Sequence, residues 1–93
     1  MHYTYIVECS DGTLYTGYAA DLEKRINAHN EKRGAKYTRG RAPVTLKYYE
    51  EFENKADALK REAQIKKMRK EKKLKLLNNT KNELYMPWLF GII

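Results

Sequence analysis

The chain has 93 residues, enough for one domain with a modest core and too few for a catalytic module beside a separate targeting module. A formal charge of +7 and a pI near 9.5 point to an anionic partner. Cys9 is the only cysteine, which excludes an internal disulfide and a zinc site made of several thiolates, and no apolar run approaches the roughly 20 residues of a membrane span.

A reducing cytoplasm fits this composition, and residues 1–7 lack the basic stretch and long apolar core of a secretory signal. Residues 3–9 alternate Tyr3, Tyr5, Val7 and Cys9 on one face with Thr4, Ile6 and Glu8 on the other, which predicts a strand. Ser10-Asp11-Gly12 and a second β-rich run over residues 13–18 then predict a hairpin. A two-residue loop would put Tyr5 and Tyr15 on opposite faces. A three-residue loop with Gly12 in the left-handed conformation pairs Cys9 with Thr13 and Val7 with Tyr15, so that Tyr5, Tyr15 and Gly17 share a face, and this register is the one expected.

Asp21 is the expected N-cap of a helix running to about residue 32, with Leu22 and Ile26 as its apolar stripe and Gly34 as its end. Residues 34–43 carry Lys36, Arg39 and Arg41 and read as a basic exposed loop. A third strand is predicted over residues 44–53, with Val44, Leu46, Tyr48 and Phe52 on one face. Asn54 and Asp57 resemble a capping box that opens a second helix carrying Ala58, Leu59, Ala63 and Ile65, its pattern continuing through a kink to Leu76 and Leu77. The expected architecture is α+β: a small antiparallel three-stranded sheet flanked by helices, in the order β-β-α-β-α with room for a third helix. The domain is placed at residues 1–77. Residues 78–93 form an extension whose apolar part is too short to cross a bilayer and reads as a segment docked on the domain or on another chain.

Several residues are not accounted for by packing alone. Arg25 and His29 lie one turn apart beside the Leu22/Ile26 stripe and lean towards the sheet, where an arginine can also snorkel to water. Glu62 sits near the middle of the apolar arc of the second helix and should be buried. An unpaired buried carboxylate costs several kcal/mol, so it needs a cation: a metal ion, or Arg25, Lys55 or Lys66 in a salt bridge. Two tyrosines on one sheet face, a glycine opposite Tyr5 and a helix presenting Arg and His add up to more than ordinary strand composition.

Tyr3-Thr4-Tyr5 and Tyr15-Thr16-Gly17, nine residues apart, resemble the two strand motifs that name the GIY-YIG nucleases. Arg25 and His29 look like that family's helix motif, Glu62 like its metal-binding glutamate, and residues 34–41 like the loop of the short bacterial members made of this domain alone. Thr4 and Thr16 stand where the name has isoleucine and should point away from the tyrosines. The resemblance spans residues 3–77 and implies a metal-dependent endonuclease acting on nucleic acid, above all DNA. It implies that Tyr5 deprotonates or orients an attacking water, Tyr15 positions water or phosphate, Arg25 stabilises phosphoryl charge, His29 assists proton transfer or contacts phosphate, and Glu62 holds one divalent ion, Mg2+ or Mn2+. Lys36, Arg39, Arg41, Lys66, Lys67 and Lys70 are the expected phosphate contacts, with selectivity for shape over base sequence. Two other classes remain open: a nucleic-acid-binding module with this fold and little turnover, and a subunit that needs a protein partner for targeting.

Overall fold

The structure, a computed structural model, describes residues 1–78. The expectations for residues 79–93 lie outside the described residues. The elements run β1 (His2–Glu8), β2 (Leu14–Ala19), α1 (Leu22–Asn30), α2 (Lys36–Arg39), β3 (Thr45–Phe52), α3 (Lys55–Lys66) and α4 (Lys70–Asn78). The three strands form one antiparallel sheet in the order β2-β1-β3, flanked by helices, as expected. No helix among the described residues is long and apolar enough to cross a membrane.

The hairpin adopts the three-residue loop. The Cys9 amide donates to the Thr13 carbonyl at 2.8 Å, Gly12 takes φ +83°, and Tyr5 pairs with Gly17 and Val7 with Tyr15. Asp11 accepts from the Thr13 amide and hydroxyl, which fixes the turn. Both faces of the sheet are covered, because the strands alternate apolar residues in both directions. On one face Tyr5, Val7, Cys9 and Ala19 pack against Leu22 and Ile26 of α1 together with Val44 and Leu46. On the other, Ile6 and Tyr48 pack against Ile65 of α3, with Leu14, Met68, Leu76 and Leu77 around them.

Val44, Leu46 and Tyr48 do not share a face, contrary to the strand pattern. Ile6 pairs with Tyr48 and Val7 with Leu46, so Lys47 is an unpaired extra residue, a β-bulge that reverses the alternation at that point. Leu46 thereby joins the α1 side and Tyr48 the α3 side.

The helices carry further corrections. Asp21 caps α1 through the Lys24 amide, but the helix stops at Asn30, and Lys32 rather than a glycine takes the left-handed conformation after it, at φ 63°. The Asn30 side chain pairs with both backbone groups of Val44, at 2.6 and 3.3 Å, and so ties the end of α1 to the start of β3. The supposed loop over residues 34–43 contains α2, with Thr38 fully buried. Asn54 caps α3 through the Asp57 amide, as expected. Leu59 is 40% exposed and Ala63 is exposed, so the sheet-facing row of α3 is Ala58, Glu62 and Ile65, at i, i+4 and i+7.

Candidate active site

The hairpin register places Tyr5 across from Gly17, and this glycine is required by close approach. A Cβ at position 17 would lie 2.5 Å from the Tyr5 hydroxyl, so the phenol crosses β2 only because no side chain stands there. Tyr15 sits on the same face, its ring 6.4 Å from that of Tyr5. Thr4 and Thr16 point to the opposite face, where Thr4 donates to the Ala58 carbonyl at 2.6 Å and the buried Thr16 hydroxyl has no hydrogen-bond partner among the described residues.

From α1, His29 and Arg25 converge on the same phenol. His29 Nε2 lies 2.7 Å from the Tyr5 hydroxyl, and Arg25 Nε donates to that oxygen at 3.4 Å. Tyr15 packs its ring edge-on to the imidazole, with centroids 5.5 Å apart. Tyr5 and His29 are both fully buried, whereas Arg25 and Tyr15 are half-buried and reach the surface. The two ring nitrogens of His29 face the hydroxyls of Tyr5 and Thr38.

Burial governs the protonation of this cluster. Desolvation, aided by the Arg25 charge, lowers the His29 pKa to about 4, so the imidazole is neutral at pH 7. Desolvation raises the Tyr5 pKa to about 12; Arg25 opposes the rise, and the carboxylate of Glu62 adds to it. Arg25 is itself disfavoured by burial, but the tyrosine hydroxyls that accept from it leave its pKa raised.

Glu62 lies on α3, which packs against the other face of the sheet, and its link to the cluster is its charge, which helps raise the Tyr5 pKa. Its side chain is 18% exposed, so it is less deeply buried than the helical arc suggested, and of the three side chains considered as salt-bridge partners it is Lys66 that pairs with it, at 3.3 Å. Lys66 is itself 51% exposed and is free to move into water. A lone, partly exposed carboxylate fits a hard divalent ion that retains most of its water, and it does not fit a protein-caged metal. No group of three His, Cys, Asp or Glu residues able to hold a metal occurs among the described residues.

The expected phosphate contacts divide. Lys36 and Arg39 are exposed on α2. Arg41 is engaged within the fold: it bonds Asp11 at 2.9 Å and the Tyr37 carbonyl at 2.7 Å, and lies over the Tyr37 ring, which stacks on Tyr15. Lys70, whose Nζ is 3.4 Å from the Gly12 carbonyl, lines a groove at the hairpin end with Lys73 and Tyr37. Lys67 lines a different groove between α3 and α4, with Arg61, Arg69 and Lys72. Arg61 bonds Glu50 of β3, so this second groove opens towards the opposite edge of the sheet from β2.

Sequence reasoning missed three residues at the site. Tyr37 supports Tyr15, Thr38 contacts His29, and Gly34 clears space beside the imidazole, where a Cβ would lie 2.2 Å from Nδ1. Gly34 stood in the sequence as a helix stop, and the resemblance of residues 34–41 to the family's loop singled out this stretch without showing its contacts with His29 and Tyr15.

Residues 1–83 match the GIY-YIG catalytic domain. A UPF0213 protein of Staphylococcus saprophyticus is 60% identical over 77 residues, covering 83% of this chain and 94% of that one. A UPF0213 protein of Halobacterium salinarum is 52% identical over 73 residues, covering 78% and 95%. The solution NMR structure of a UPF0213 protein from Bacillus halodurans aligns with a TM-score of 0.58 at 39% identity, over 97% of this chain and 92% of that one.

Proposed function

Because the chain belongs to the GIY-YIG family, we propose that it is a metal-dependent endonuclease that hydrolyses phosphodiester bonds in nucleic acid, chiefly DNA, choosing its substrate by shape. The observation that carries this reading is the hydrogen-bonded cluster of Tyr5, His29 and Arg25, buried polar chemistry that the core does not need, set beside the Glu62 carboxylate.

Tyr5 orients the attacking water and takes its proton. With a pKa near 12 its phenolate is scarce at neutral pH, so the phenol must give up its own proton as it accepts the new one. His29 Nε2 is the acceptor in contact with it once the negative charge of a bound phosphate offsets the desolvation that holds its pKa near 4. Arg25 meets charge developing on the phosphoryl oxygens with a planar donor that can span two of them. Tyr15, at the half-buried margin, positions water or phosphate. Glu62 would hold Mg2+ or Mn2+, which supplies positive charge at the scissile phosphate and the leaving oxygen. Lys36, Arg39, Lys66 and Lys70 provide contacts to the backbone that carry no base information.

Glu62→Gln tests the assignment. The lost partner, Lys66, is half in water, and an i,i+4 pair of this kind contributes only about 0.3–0.5 kcal/mol, so the variant is expected to melt within a few degrees of the parent. Metal-dependent cleavage is expected to fall by roughly a hundredfold or more. Full cleavage by the folded variant refutes the role given to Glu62.

A further inference from the structure

The cluster around Tyr5 has one arrangement of protons that satisfies every member. Arg25 Nε can only donate, so the Tyr5 oxygen accepts from it, and the phenol's own proton needs an acceptor. His29 Nε2, at 2.7 Å, is the acceptor in reach. Nε2 must then be the bare nitrogen of the neutral ring, and Nδ1 must carry the proton. Thr38 Oγ1 lies 2.7 Å from Nδ1 and 2.9 Å from the Ala35 carbonyl. A carbonyl can only accept, so the single threonine proton goes to Ala35 and the oxygen is left to accept from Nδ1. In the opposite arrangement Nε2 donates to Tyr5, and the buried phenol proton has no partner. Such an orphan costs about 1–3 kcal/mol.

We propose that Thr38 is a positioning residue: its hydroxyl, held by the Ala35 carbonyl, locks His29 as the Nδ1–H tautomer and thereby leaves Nε2 free to accept the Tyr5 proton. This inference rests on the nuclease reading for its consequence and on the hydrogen-bond geometry alone for the tautomer. As the Tyr5 oxygen takes a proton from the attacking water, the phenol proton passes to Nε2, and the resulting imidazolium keeps its Nδ1–H on Thr38. Among the described residues Nδ1 has no other partner. Thr38 is fully buried, and the Gly34 backbone closes the imidazole edge so tightly that a Cβ there would meet Nδ1 at 2.2 Å. The device parallels the aspartate of a catalytic triad in setting a tautomer, with a neutral hydroxyl in place of a carboxylate.

The tautomer is read directly from the ring nitrogens of His29 by NMR in the unmodified protein at pH 7. The expected result is a neutral ring with the proton on Nδ1, and a proton on Nε2 overturns the proposal whether or not the protein cleaves anything. For the functional consequence, Thr38→Val keeps the volume and removes the hydroxyl, and Thr38→Ser restores it. With plasmid DNA and Mg2+, the valine variant is expected to lose roughly tenfold or more in kcat with KM nearly unchanged, and to populate the Nε2–H tautomer. The serine variant is expected to recover both the tautomer and the rate. A valine variant that keeps the Nδ1–H tautomer and the parental kcat, or a serine variant as impaired as valine, overturns it. An inactive parent that nevertheless shows Nδ1–H is a failure of the nuclease reading and not of the tautomer lock.

Discussion

His29 is held neutral inside the protein by desolvation, and this has a measurable cost in acid. Its pKa falls from the ordinary 6.5 to about 4, so in acid the unfolded chain binds a proton that the folded chain refuses. The contribution is therefore fully present above pH 6.5 and lost as pH falls towards 4, amounting to roughly 3 kcal/mol at most. Urea unfolding between pH 7 and 4.5 should show this loss in the parent, and His29→Gln should flatten the corresponding part of the profile. An identical slope in both would mean that His29 is not the group responsible. At this scale the sequence was informative wherever a residue's type conflicted with its position. Gly17 opposite Tyr5 followed from the hairpin register, and Glu62 stood out in an apolar arc, although it is more exposed than that arc suggested and pairs with Lys66. Thr38 gave no such signal, because a threonine in an irregular stretch has no face, and its link to His29 depends on how residues 31–35 turn back.

Among the elements, the hairpin was legible from Asp11-Gly12 and the two flanking patterns, which left two loop lengths open, and the structure adopts the expected three-residue one. The end of α1 was not, because Lys32 adopts a conformation more usual for glycine. Nor was the bulge in β3. Alternation within one strand cannot reveal that its partner skips a residue, and the skip occurs at Lys47, exposed and 3.9 Å from Glu8. The bulge leads to an expectation contrary to the usual rule that deleting one strand residue turns half the strand inside out. Removing Lys47 would leave Leu46 opposite Val7 and Tyr48 opposite Ile6, each on its present face. The deletion variant should fold cooperatively, with a melting temperature lowered by less than about 8 °C, corresponding to about 1 kcal/mol. Loss of cooperative unfolding would show that the extra residue is needed for the twist of β3.

For the molecule as a whole, the β2 edge of the sheet carries Tyr15 and Gly17 beside Tyr5 of β1, Arg25 and His29 of α1 reach the Tyr5 hydroxyl, and Glu62 lies on α3 against the other face. Positive charge is unevenly placed around this edge. Lys70 and Lys73 flank the hairpin end, while Lys67, Arg69 and Lys72 line the separate groove between α3 and α4, so the lysine run is not one continuous track. The α+β class and the antiparallel three-stranded sheet followed from the periodicities and turns, whereas the strand order β2-β1-β3 and this division of charge depend on how the elements pack and on the break between α3 and α4. The most direct test is to incubate the purified chain with branched, flapped, nicked and single-stranded DNA and with RNA, in Mg2+, in Mn2+ and in a chelator. Strand cleavage of DNA is expected with either metal, differing among the shapes and abolished by the chelator. Binding to these substrates without cleavage in either metal, or cleavage that persists in the chelator, would contradict the nuclease reading.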